Sequence, residues 1–176
     1  MLKTLVMTVI GPDRTGLVDS LARTVADQGG NWLESRLCHL GGQFAGLVQV
    51  EVEEAAAAAL IDALQHHTES GLQITVQTDN GASALADGSL ALVELVGQDR
   101  PGLLREITGV FAKHGLNVEE LESERTAAPQ GGGILFKASA TILVPSAADL
   151  DAIGDDLEKI ATDLLVDIRL APETTA

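Results

Sequence analysis

Apolar residues along the chain change period several times, and each change marks an element boundary. From Leu2 to Ile10 a short, β-branched apolar run reads as a strand. Leu17, Leu21 and Val25, with Val18 alongside, then recur at helical spacing as one stripe, which Gly29 and Gly30 end. A second strand is predicted from Asn31 to about Leu40, with a turn from Gly41 to Gln43 leading into a third. That third strand alternates: Val48, Val50 and Val52 lie on one face, Gln49, Glu51 and Glu53 on the other. The alanine-rich run from Glu54 through Leu60, Ile61 and Leu64 favours helix, and Leu72 to Gln77 alternates again as a strand. The predicted order is βαββαβ.

The second half repeats this order. "GPDRTGLVDSLARTVADQGGN" (Gly11 to Asn31) aligns without a gap on "GQDRPGLLREITGVFAKHGLN" (Gly97 to Asn117), an offset of 86 residues. A strand from Leu90 to Val96 leads into a helix carrying Leu103, Ile107 and Phe111. Strands near Leu116 to Thr126 and Ile134 to Leu143 follow, then a helix with Leu150, Ile153, Leu157 and Ile160, and the closing strand "VDIRL". The stretch "TDNGASALADGS" has linker composition, so the predicted domains are 1–79 and 89–176, joined by a linker at 80–88. Each domain is expected to be an α+β sandwich, a four-stranded antiparallel sheet with two helices on one face, in the split βαβ arrangement. A doubly wound parallel sheet is disfavoured, because "GGQ" is far too short for a crossover. The connection Ala127 to Gly133 is longer than its counterpart and reads as either a lid or a tolerated surface insertion.

Charge narrows the range of functions. The formal net charge is −15 and the isoelectric point about 4.4, with acidic residues spread through both halves. Phosphate backbones and anionic membrane surfaces are repelled by such a field. Tyr is absent, and aromatic residues make up only 2% of the chain, so base-stacking platforms are scarce as well. Small zwitterions and other proteins are the expected partners. Cys38 is the sole cysteine, which points to a reducing cytoplasm and to a buried structural thiol. The apolar opening is read as a strand instead of a signal peptide, since no small-residue cleavage site follows it.

The repeated element carries the candidate chemistry. In both copies a strand ends at glycine, Asp and Arg follow (Asp13 and Arg14; Asp99 and Arg100), and a second glycine precedes the helix (Gly16 before Leu17; Gly102 before Leu103). First-turn N–H groups lack internal partners and attract a carboxylate, while Gly16 and Gly102 leave its approach open. Asp13 and Asp99 suit an ammonium group, and Asn31 and Asn117 offer both donor and acceptor. Together these suit an α-amino acid. The same residues read equally well as structure: Asp as an N-cap, glycine as a bend, Asn in a turn after Gly29 or Gly115.

Catalytic constellations are weak. His66 and His67 are adjacent near a helix end and are expected to diverge into solvent, and Cys38 and His39 point to opposite faces of a strand. His114 sits at a helix C-terminus, where a cation is favourable. Neither glycine loop continues into the Lys and Ser or Thr of a phosphate-binding loop. Trp32 is expected in a core or interface.

The pairing of "GPDRTGLVDSLARTVADQGGNWLESRL" with "GQDRPGLLREITGVFAKHGLNVEELESER" resembles tandem ACT-domain proteins, and among them the glycine cleavage system transcriptional repressor subgroup. A related pattern opens formyltetrahydrofolate hydrolase, whose catalytic domain is absent from this chain. The resemblance implies two ferredoxin-like units whose sheets join edge to edge, without enzymatic activity or cofactor. It further implies amino acids bound where the first loop and helix of one unit meet the second strand of another. Carried over by position, Asp13, Gly16 and Asn31 line one site, and Asp99, Gly102 and Asn117 a related one. Glycine or serine is the implied effector and a DNA-binding regulator the implied protein partner, with homo-oligomers compatible. Thr15 against Pro101, and Trp32 and Leu33 against Val118 and Glu119, set the two sites apart. The alternatives are an interaction module without a small ligand and a detached regulatory subunit of an amino-acid metabolic enzyme.

Overall fold

A computed structural model describes residues 1–79, 87–129 and 132–172. The chain divides into two compact units, Met1–Ala82 and Ser83–Ala176. Most of the stretch read as a linker, and Gln130 and Gly131 of the long hairpin connection, lie outside the described residues.

The first unit runs β1 (Leu2–Pro12), α1 (Leu17–Asp27), β2 (Asn31–Leu40), β3 (Gln43–Glu53), α2 (Glu54–Gln65) and β4 (Gln73–Thr78), with a 3-10 segment, His66–Ser70, after α2. Its sheet has the order β2-β3-β1-β4, antiparallel throughout. The second unit repeats this as β5 (Gly88–Gln98), α3 (Leu103–Lys113), β6 (Asn117–Ala127), β7 (Ile134–Pro145), α4 (Leu150–Leu164) and β8 (Asp167–Pro172), in the order β6-β7-β5-β8. Both units therefore have the ferredoxin-like βαββαβ arrangement expected from the apolar pattern.

Each unit closes its own core. Leu5, Met7 and Val9 of β1 and Val48, Val50 and Val52 of β3 meet the α1 stripe Leu17, Leu21 and Val25 and the α2 residues Ala57, Leu60 and Leu64. In the second unit Val93 and Leu95, with Ile142 and Val144, meet Leu103, Ile107 and Phe111 of α3 and Ile153 and Leu157 of α4. The alternation of the middle strands thus places one face against helices. Truncating a fully buried leucine such as Leu21 to alanine costs about 2 to 5 kcal/mol.

The duplication extends to irregularities. Pairing slips between Trp32 and Glu34 in β2 and between Val118 and Glu120 in β6, a β-bulge conserved at the same offset of 86 residues. Trp32 packs, half-buried, against the first core. Cys38 departs from expectation: it is exposed. It lies on the edge strand β2 opposite Ala45, one position off the helix-facing residue Leu37, so alternation turns it away from the core.

Candidate functional site

The repeated loop lies at the same end of each sheet. Gly11 and Gly97 are buried where their strands finish; a Cβ at Gly11 lies 2.8 Å from the Gly71 carbonyl oxygen, and one at Gly97 lies 2.1 Å from a Val166 methyl. The first glycine of each copy is therefore a packing requirement. The second is conformational: Gly16 (φ 87°) and Gly102 (φ 93°) occupy the left-handed region as N-cap residues of α1 and α3. A Cβ at either meets nothing within 4 Å, so the space in front of both helix starts is open on that side.

Neither helix start is capped by a side chain. Asp13 and Asp99 therefore do not act as the N-caps that the sequence also allowed. Their backbone N–H groups instead anchor the loop across the sheet end, Asp13 to the Gly42 carbonyl (3.1 Å) and Asp99 to that of Ile134 (2.9 Å). Their carboxylates face a basic side chain on the second strand of the unit. His39 Nε2 is 3.8 Å from Asp13, and an Arg125 guanidinium nitrogen is 2.6 Å from Asp99. Positions 39 and 125 are themselves 86 residues apart, opposite Phe44 and Phe136, which pack against the two cores. Sequence reasoning missed this partner position, because no local pattern links a strand residue to a loop some 26 residues earlier.

Leu17 and Leu103 are buried in the cores, so only their backbone faces the loops. Asn31 and Asn117 are exposed first residues of β2 and β6, and neither takes the left-handed conformation, which falls to Gly29 and Gly115. The side-chain amide of Asn117 donates to Glu119 at the bulge. Within a unit the Asn lies far from the loop. Asn31 pairs with Glu51 and Pro12 with Gln43, eight positions apart on β3, which is about 26 Å along the strand at 3.3 Å per residue. Asn117 and Gln98 are separated equally along β7. Within one unit, then, the asparagine and the loop do not share a site.

Arg14 faces a different surface. It lines an open groove of about 630 Å³ with Thr24 of α1, with Gln28 just after that helix, and with His66 and His67. The histidines were expected to diverge into solvent; both border this groove, because the chain tightens into a 3-10 turn after α2. His66 bonds the Asp62 carbonyl at 2.7 Å, and His67 Nε2 lies 2.8 Å from the Thr24 hydroxyl. Burial, then the nearby Arg14 charge, then His66, hold the His67 pKa below its ordinary value.

The corresponding groove of the second unit, about 400 Å³, is organised around Asp156 of α4. Lys113 and His114, at the end of α3, and Lys159 all converge on that carboxylate, His114 at 2.8 Å and Lys159 at 3.4 Å. Hydrogen bonds from Lys113 and His114 hold Asp156 far below the usual carboxylate range. Among the described residues no group of three or more His, Cys, Asp or Glu side chains is placed to hold a metal ion.

The two ferredoxin-like units are ACT domains, and the chain belongs to the ACT-domain family: residues 3–77 and 91–162 each match an ACT domain. It is related to the glycine cleavage system transcriptional repressor of Escherichia coli (strain K12), with 26% identity over 161 residues, 91% of this chain and 85% of that protein. A solved structure of a protein from Galdieria sulphuraria, of unknown function, superimposes with a TM-score of 0.84 at 28% identity, covering 99% of this chain and all of the other. A crystal structure of a candidate glycine cleavage system transcriptional repressor shares the fold with a TM-score of 0.73, at 19% identity and 99% coverage of both chains. The chain is thus an ACT-domain regulatory protein related to that repressor. None of its described helices is long and apolar enough to cross a membrane.

Proposed function

We propose that this chain is a non-enzymatic sensor that binds a small α-amino acid at its repeated loops and passes the signal to a protein partner. One observation carries the reading. Helices α1 and α3 begin at left-handed glycines with no side-chain cap and with open space over the glycine, while an aspartate sits three residues earlier. A carboxylate fits the uncapped N–H groups, and the aspartate suits the ammonium group of the same molecule. Glycine or serine is the favoured effector, the E. coli relative's name bearing on glycine alone. A DNA-binding regulator is the favoured partner, since a chain of charge −15 is poorly suited to hold DNA itself.

A second reading, an interaction module without a small ligand, draws on β6. This eleven-residue edge strand is exposed along nearly its whole length.

The test is a thermal-shift screen of the chain against the twenty amino acids, followed by calorimetry. A ligand that binds only the folded state adds about 2.7 kcal/mol of stability at a hundredfold excess over its Kd. A selective shift with glycine or L-serine is expected. No shift with any amino acid contradicts the sensor reading and favours the module.

A further inference from the structure

The two loops are alike in backbone and unlike in charge. Asp99 is 23% exposed and bonded at 2.6 Å to the guanidinium of Arg125. Asp13 is 45% exposed, and among the described residues the basic group it faces is the imidazole of His39, at 3.8 Å, beyond hydrogen-bond reach. The residue responsible occupies one equivalent position, 39 in β2 and 125 in β6, opposite Phe44 and Phe136 in the register. A guanidinium is charged at all working pH values, whereas a histidine's charge is conditional. At 2.6 Å Arg125, itself 62% exposed, holds the Asp99 carboxylate in a charge-assisted hydrogen bond, so a ligand ammonium group entering there must compete with that pair for the oxygen. In the first loop, among the described residues, the carboxylate has no such charged partner within hydrogen-bond distance.

We infer that position 39 or 125 decides which loop accepts an ammonium-bearing ligand: His39 leaves Asp13 available, while Arg125 occupies Asp99 and closes the second loop to it. The chain therefore takes one amino acid with its first loop, and the second loop is a fixed structural copy. This rests on the sensor reading above and adds stoichiometry and selectivity to it. Arg125 acts as a specificity-determining residue without touching the ligand.

The reciprocal exchange tests it. His39→Arg and Arg125→His each install the side chain that the equivalent position already carries, so both are compatible with the fold. Calorimetry at pH 8 with glycine and L-serine is expected to give one equivalent per wild-type chain. His39→Arg should weaken binding by about tenfold or more, the scale of a lost charge-assisted hydrogen bond, and Arg125→His should raise the stoichiometry to two. Two equivalents in the wild type, undiminished binding by His39→Arg, or a stoichiometry of one in Arg125→His overturns the inference and leaves the sensor reading standing. No heat with any amino acid in any variant removes both.

Discussion

At the scale of single residues, backbone conformation and proximity matter more than the identity of any one polar group. Gly16 and Gly102 take positive φ with free space around the absent Cβ, so alanine there pays in backbone strain alone. Gly16→Ala is expected to lower stability by about 1 kcal/mol in urea titration, without a change in m-value. His67 offers a sign-definite pH test. Its folded pKa is lowered from 6.5, so between the two values the unfolded state binds more protons and stability rises with pH. Its contribution is complete above about pH 6.5 and is lost as pH falls through the folded pKa. Arg14→Ala should raise the His67 pKa in an NMR titration; an unchanged value contradicts the assigned role of the Arg14 charge. The loop residues Asp13, Arg14 and Gly16 were legible as a repeated pattern. Their partners were not, because His39 meets Asp13 only through strand pairing. Cys38 was misread for a related reason: average burial of cysteine says nothing about an edge strand.

At the scale of elements, the periods of the apolar residues were sufficient. Leu17, Leu21 and Val25 bury as one stripe, and Val48, Val50 and Val52 face the helices. The bulges were not visible, because one extra residue in an edge strand exposed over most of its length leaves little trace in polarity. Nor was the tie between α3 and α4, in which Lys113 and His114 reach Asp156 from 42 or 43 residues away. This tie is testable. The Asp156 pKa is lowered, so its stabilisation is present above the ordinary carboxylate pKa and lost as pH falls through the folded value. Asp156→Asn should lower Tm at pH 7, with the difference from wild type shrinking as pH drops below about 4. An equal difference at pH 7 and pH 3 contradicts a charge-based tie. In α4 the Asp149 carboxylate accepts from the N–H groups of Asp151 and Ala152, both at 3.1 Å, and Asp149→Ala should cost about 0.5 to 2 kcal/mol in chemical denaturation.

At the scale of the whole molecule, duplication organises the chain. Each half has its own core, sheet order and loop, and the copies differ in charge at two places: Arg125 for His39 at the loops, and the Asp156 cluster against the His66 and His67 groove. The resemblance of both halves to ACT domains was legible because "GPDRTG" and "GQDRPG" sit at the same point of the same element order. The separation of Asn31 from Asp13 within a unit was not, since it depends on strand direction and register.

The central claim is that the repeated loop, and the first copy in particular, receives an amino acid. The most direct measurement is a ¹H–¹⁵N correlation spectrum of the labelled chain during titration with glycine and then L-serine. The account predicts saturable shifts at the amides from Asp13 through Ser20, with the corresponding amides from Asp99 through Glu106 nearly still. Shifts centred on His66 and His67, or none at any amide, would contradict it.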